Sequence, residues 1–165
     1  MFDYYEEGTV FNQFLALLNR EAVPGDTHPY GAVMQDIPET AQGCWFKPGE
    51  PSPYPEDPHL ALVWDNMNPS WGALSVGTSV PGLMSTVYFF VPEESGVMNR
   101  SFSQILPGST IYRFNPFNET QVIILLQLPD ADTLRIQGLL LGQVPFDPED
   151  PSSWEFTEGM VEFVR

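Results

Sequence analysis

Two histidines, His28 and His59, are the candidates for acid–base chemistry in this chain. His28 lies in a proline-rich stretch and His59 begins a periodic one, so they lack the close helical spacing of paired metal ligands. His59 shares its strand parity with Asp65, and a histidine beside a carboxylate is a common general base. Roughly 20 Å of extended chain separates these two residues, which prevents direct contact. We therefore interpret His59 as structural.

Cys44 is the single cysteine, which excludes an internal disulfide and the metal patterns built from several cysteines. As a nucleophile it would need a base, and Lys47 is the only basic residue nearby. Because it lies in an apolar segment beside Trp45 and Phe46, we expect a buried, unreactive thiol. The sequence also lacks a Gly-x-Ser-x-Gly elbow and a phosphate-binding loop with its lysine.

Two acidic clusters offer oxygen ligands of the kind that calcium prefers. One contains Asp130 and Asp132, and the other contains Asp147, Glu149 and Asp150. Neither has the twelve-residue pattern of a calcium loop, with its glycine and terminal glutamate. The sequence therefore predicts no metal or other cofactor and no catalytic residue.

The charge balance is strongly acidic, with 22 Asp and Glu against 6 Lys and Arg and a formal net charge of -16. Such a surface repels phosphate groups, so neither nucleic acid nor an anionic membrane is an expected partner. No apolar run approaches the roughly 18 residues that cross a bilayer, and no membrane insertion is expected. The acidity favours solubility, with a cationic partner as the alternative. It does not indicate an oligomeric state.

The length of 165 residues fits one domain, predicted over 1–165. Apolar residues at spacings of three and four predict an amphipathic helix at 9–20, with Thr9 as its N-cap. Proline lacks a backbone donor, so the proline-rich stretches 22–42 and 48–58 are predicted to be loops.

From residue 41 onward the sequence predicts a mainly β fold. Short strands separated by turn residues, without helices between them, are typical of antiparallel sandwiches and barrels. We predict an eight-stranded antiparallel up-and-down barrel over 41–165, preceded by the N-terminal helix. The strands are expected at 41–47, 59–66, 72–79, 85–91, 109–115, 121–128, 133–139 and 154–164.

Two of these strands depart from simple alternation. The segment 122–126 is apolar on both faces, which indicates cover on both sides, by the barrel interior and by the N-terminal helix. The segment 154–164 changes its apolar phase at Gly159, where either a bulge or a tight turn would keep its apolar side chains inside.

Aromatic residues make up 13% of the chain, and an eight-stranded barrel can hold one small ligand. The predicted function is non-catalytic binding of a small hydrophobic ligand inside the barrel. Its contacts are predicted at the inward positions Trp45, Leu62, Trp64, Tyr88, Phe90, Tyr112 and Phe114.

Two other functions remain open. One is a protein-interaction module that uses the acidic surface and the proline-rich loops. The other is a barrel enzyme of the cyclase or isomerase type, which would need a polar residue in an internal pocket. The candidates for that role are Tyr88, Tyr112, Arg113 and His59.

Gly43-Cys44-Trp45 on the first strand, the seven further strands and Arg165 resemble the lipocalin and wider calycin plan. The resemblance implies a β-barrel whose end is closed by a basic residue over the first-strand tryptophan, here Arg165 over Trp45. The stretches 38–43 and 54–63 are also similar to uncharacterised bacterial proteins, which implies a bacterial, exported domain. The first residues lack the features of a signal peptide, so we expect either a mature extracellular or periplasmic segment or a cytoplasmic chain.

Overall fold

The structure is a computed structural model that describes residues 36–49 and 59–165. These residues form one antiparallel sheet of eight strands, which confirms the predicted mainly β class and the strand number. The predicted helix at 9–20 and most of both proline-rich stretches lie outside the described residues. The strands are β1 (Gly43–Phe46), β2 (His59–Trp64), β3 (Gly72–Val76), β4 (Thr86–Phe90), β5 (Tyr112–Phe114), β6 (Val122–Asp130), β7 (Thr133–Leu140) and β8 (Val161–Val164).

The sheet consists of two meanders joined through the first and last strands. Its order is β4-β3-β2-β1-β8-β7-β6-β5, and Phe46 pairs with Val164 where the two meanders meet. The sheet curls into a nearly closed barrel around one apolar core. Within the described residues, β4 and β5 are the two unjoined edges.

Loops satisfy the backbone groups along both of these edges. On β4, Phe117 N donates to Phe89 O at 2.9 Å. The Asn118 side chain accepts from Phe89 N at 2.9 Å and donates to Val87 O at 2.8 Å. On β5, Arg113 N donates to Val97 O at 2.9 Å. These bonds occupy edge groups that would otherwise be free to pair with another strand.

Alternation along the strands sorts the side chains into an inward and an outward set. The register aligns Leu62 with Leu74 and Leu74 with Tyr88, and all three are buried on the inward face. A large buried apolar side chain contributes about 1.5–3 kcal/mol through its removal from water. The largest such side chains inside the barrel are Trp45, Tyr88, Phe90, Phe114 and Phe163.

The last predicted strand is much shorter than expected. β8 begins at Val161, and a turn closed by Met160 N donating to Thr157 O precedes it. A tight turn, rather than a bulge, therefore changes the phase near Gly159. Trp154 is buried but lies outside the sheet, because Pro151 begins a short 3-10 turn just before it.

The long β7–β8 connection covers part of the outward face of β5, β6 and β7. Arg113, Leu125 and Gln137 form one outward row across these strands. Arg113 donates to Pro148 O, and Thr157 N donates to Gln137 Oε1 at 2.8 Å. The sequence therefore predicted correctly that this outward face is covered by another part of the chain. At the row of Arg113, Leu125 and Gln137, the covering segment is the β7–β8 connection. The predicted covering helix lies outside the described residues.

Candidate functional site

The barrel interior brings together the side chains that were predicted to contact a ligand. Trp64 is half-buried at one rim and lines a recess with Phe90, while Tyr112 packs against the core from its edge. The other five are at most 2% exposed and belong to one apolar cluster: Trp45, Leu62, Tyr88, Phe90 and Phe114.

Two large residues of the β4–β5 connection also fill the interior, although they belong to no strand. Phe102 and Ile105, here called the plug, lie in the β4–β5 connection and are 3% and 0% exposed. The Phe102 ring lies 5.1 Å from Phe90 and 5.3 Å from Phe114, between centroids. The plug was missed at the level of sequence because a single 3-10 turn has no long periodicity. The only signal was two large apolar residues three positions apart.

Side chains fill most of the space around the plug. A partly open recess of about 130 Å³ lies beside the plug, and it is too narrow to hold a water molecule. Its walls are Trp64, Gly72, Phe90, Pro92, Ser101 and Phe102.

One end of the barrel is closed by Arg165 and Trp45. The guanidinium carbon of Arg165 lies 4.4 Å from the Trp45 ring centroid. Arg165 also donates to Gln42 O at 2.6 Å and to Ile37 O at 3.2 Å. Trp45 Nε1 donates to Ala41 O at 2.9 Å. The contact implied by the lipocalin resemblance is therefore present.

Gly43 is required by the close packing at this end. Its φ is +138°, and a Cβ atom there would lie 2.2 Å from Asp36 Oδ1 and 2.8 Å from Arg165 Nη2. The same Asp36 oxygen accepts from Cys44 N at 2.7 Å. The Gly-x-Trp pattern therefore has a local physical basis, because the glycine admits these groups and the tryptophan supports the arginine.

Cys44 is exposed, so the expectation of a buried thiol was wrong. It lies on the outward face of β1, opposite in parity to the inward Trp45. Partial burial raises the pKa of the Cys44 thiol and the Asp36 carboxylate raises it further, while Arg165 lowers it. The thiol is therefore protonated near neutral pH and is not activated as a nucleophile.

The polar residues considered for catalysis do not converge in the interior. The Tyr88 hydroxyl accepts from Met84 N at 2.8 Å and donates to Met84 O at 3.1 Å, and burial raises the pKa of this phenol. Arg113 faces outward beneath the β7–β8 connection, contrary to its proposed place in a pocket. His59 is described only by its backbone, which pairs with Phe46.

The described residues contain neither a metal-binding cluster nor a membrane-spanning helix. Residues 36–49 and 59–165 include no group of three or more side chains arranged to hold a metal ion. No helix in this part of the chain is long and apolar enough to cross a membrane.

Comparison with known proteins assigns no family. No family model, no curated protein and no solved structure matches the chain. The lipocalin resemblance therefore stays a prediction, and the structure shows an eight-stranded barrel-shaped sheet and a contact between Arg165 and Trp45.

Proposed function

We propose that this protein binds one small hydrophobic molecule inside the barrel, without catalysis. The observation that carries this proposal is the plug, because Phe102 and Ile105 occupy the interior but belong to a connection rather than to the wall. The wall strands are fixed by continuous ladders, whereas Phe102 and Ile105 take part in none. The backbone bonds of this connection to β5 and β6 lie on either side of these two residues. Displacing the plug would leave an apolar space beside the Phe90 and Phe114 rings, which Phe102 contacts.

Few backbone hydrogen bonds hold the plug in place. Ile105 O accepts from Ala41 N at 3.1 Å, and Ile105 N donates to Phe102 O at 3.3 Å. The 3-10 turn that contains Phe102 has no side-chain cap. Each such hydrogen bond contributes about 0.5–1.5 kcal/mol, so most of the cost of opening this segment is the exposure of Phe102 and Ile105 to water. A bound ligand would replace the apolar contacts that Phe102 gives up.

The lining determines which ligands fit. An apolar space of about 150 Å³ accepts a benzene-sized molecule, and the ring of Phe102 that a ligand would replace is itself of that size. The surrounding inward side chains are uncharged, and the Tyr88 hydroxyl is already bonded to Met84. A charged ligand would lose its hydration without a compensating partner. We therefore propose an uncharged aromatic or branched aliphatic molecule. Its contacts are Trp45, Leu62, Trp64, Tyr88, Phe90, Tyr112 and Phe114.

Two measurements on the full chain test the proposal. Native mass spectrometry would show a retained small molecule in a stoichiometric amount. Titration with indole and with toluene, followed by NMR, would show saturable shifts at Phe90, Phe102 and Phe114. In the variant Leu62→Trp, a larger inward side chain should weaken binding, whereas the matched outward variant Val87→Ile should leave it unchanged. Folded protein with neither a retained molecule nor saturable binding would refute the proposal.

A further inference from the structure

The connection between β3 and β4 reaches across one end of the barrel. It leaves β3 at Val76 and enters β4 at Thr86, yet it packs on Gly138 of β7. Neither β3 nor β4 is a neighbour of β7 in the sheet. This contact therefore spans the end of the barrel instead of following its wall. We call residues 77–85 the lid loop.

Gly138 forms a seat for Leu83 of the lid loop. Gly138 has the inward parity of the buried Ile136. The register aligns it with Ile124 and, one strand further, with Phe114, which borders the proposed ligand space. A Cβ atom at Gly138 would lie 2.3 Å from Leu83 Cγ, so the leucine occupies the space that a side chain would take. A glycine inside a strand often marks such a close approach of another segment.

The Tyr88 hydroxyl acts as a latch on the lid loop. It accepts from Met84 N at 2.8 Å and donates to Met84 O at 3.1 Å. Tyr88 itself is fixed in the wall, because every residue of β4 pairs with β3. The closed loop also leaves Ser79 Oγ buried without a hydrogen-bond partner. Opening to water would remove this cost, since the hydroxyl would then be hydrated.

We propose that the lid loop is the entrance for the hydrophobic ligand, an inference that rests on the function proposed above. Opening would withdraw Leu83 from Gly138 and break the two hydrogen bonds of Tyr88, while the ladder between β3 and β4 stays paired. The path then leads directly to Tyr88 and to the row that contains Phe114, and both residues belong to the proposed ligand contacts. Such gating of a closed site by a loop is common in proteins that enclose a small molecule.

The other end of the barrel is tied by backbone hydrogen bonds. β3 ends at Val76, which pairs with Leu60 at the beginning of β2, so the lid loop lies at the Phe46 end of β1. The segment before β1 is at the opposite end, where it is bonded to the plug and to Arg165. Entry at that end would break these bonds, whereas the seat and the latch of the lid loop are side-chain contacts.

Hydrogen exchange of the free, full chain tests the lid loop without a ligand. Tyr88→Phe keeps the ring and removes the latch, so the Met84 amide should exchange about fivefold faster or more. Gly138→Ala displaces Leu83 and should act in the same direction. Gly142→Ala is the matched control, because a Cβ atom added there would have no neighbouring atom within 4 Å. The ladder amides of β3 and β4 should keep their rates in all three variants.

The exchange of toluene, followed by NMR, tests the route of entry. The rate at which a ligand passes a gate follows the population of the open state. Tyr88→Phe and Gly138→Ala should therefore raise the association rate of toluene by about the same factor as the exchange rate of the Met84 amide. Gly142→Ala should leave the association rate unchanged.

Three results would overturn the proposed entrance. The first is unchanged exchange of the Met84 amide in both Tyr88→Phe and Gly138→Ala. The second is equal acceleration of the ladder amides, which would show that the loop does not open separately. The third is faster Met84 exchange with an unchanged association rate, which would assign entry to another route. A folded, unaltered chain that binds no toluene would refute the proposed function and the entrance together, and hydrogen exchange in the free chain distinguishes this case from the other three.

Discussion

The guanidinium of Arg165 lies 4.4 Å above the ring of Trp45 and donates hydrogen bonds to two carbonyl oxygens of the segment before β1. Arg165, which directly follows β8, thus links the end of that strand to β1 and to the segment before β1. This contact closes one end of the barrel, and we expect it to contribute measurably to the free energy of unfolding.

Arg165→Met should lower the free energy of unfolding by about 2–4 kcal/mol. A partly buried cation–π contact contributes about 0.5–2 kcal/mol, and hydrogen bonds to a charged group contribute about 1.5–3 kcal/mol. Urea unfolding followed by Trp fluorescence measures this change. The control is Arg135→Met, which removes an exposed ion pair with Glu162 and should cost at most about 1 kcal/mol. Equal effects of the two variants would contradict the role given to Arg165.

Gly43→Ala should destabilise the fold by about 1–3 kcal/mol, the usual cost of a strained backbone position. The added Cβ would meet the Asp36 carboxylate and Arg165, and φ is positive there. Gly108→Ala is the matched control, since a Cβ atom added at Gly108 would have no neighbouring atom within 4 Å, and it should change stability by less than about 0.5 kcal/mol. Thermal unfolding of both variants measures these changes in stability. If Gly43→Ala left the stability unchanged, the steric explanation would be refuted.

Arg113→Met should loosen the β7–β8 connection selectively. Arg113 is buried, donates to Pro148 O and lies 5.9 Å from the Trp154 ring. Hydrogen exchange of the amides from Asp147 to Thr157 should become faster, while exchange in β1 to β4 should not change. Glu149→Gln provides the comparison, because this partner is 77% exposed and such exposed pairs contribute little. Uniform acceleration across the sheet would argue against a local role.

The reaction of Cys44 with iodoacetamide should show a pH midpoint above that of a cysteine in an unfolded peptide. Burial and Asp36 raise the pKa of this thiol. Asp36→Asn keeps the oxygen acceptor but removes the charge, so it should lower the midpoint; Arg165→Met should raise it. Because the folded pKa is the higher one, the thiol's contribution to stability is complete below the unfolded pKa and is lost as pH rises through the folded value. A midpoint below that of the peptide would contradict these contacts.

Phe102→Ala should cost about 3–5 kcal/mol, the usual effect of removing a buried phenylalanine. The matched control in the same connection is Leu106→Ala, whose side chain is 61% exposed, and its effect should stay within about 0.5 kcal/mol. Toluene should raise the unfolding temperature of Phe102→Ala by filling the space. A small loss in Phe102→Ala would mean that the plug contributes little to the core.

The sequence by itself determined the number and order of the strands along the chain and most of the interior. Alternation is a local property, because successive side chains of a strand point to opposite faces. It placed Trp45 inward, and it assembled most of the proposed ligand contacts. Proline and glycine positions marked the turns for the same local reason.

Only the tertiary structure decided which outward positions are covered and what fills the barrel. Arg113 lies buried under a connection that is distant in sequence, whereas Cys44 remains exposed although its neighbours are apolar. Phe102 enters the core from a single turn, and Trp154 leaves the sheet to cover the outside of it. These outcomes depend on contacts between segments far apart in the chain, and local periodicity carries no information about such contacts.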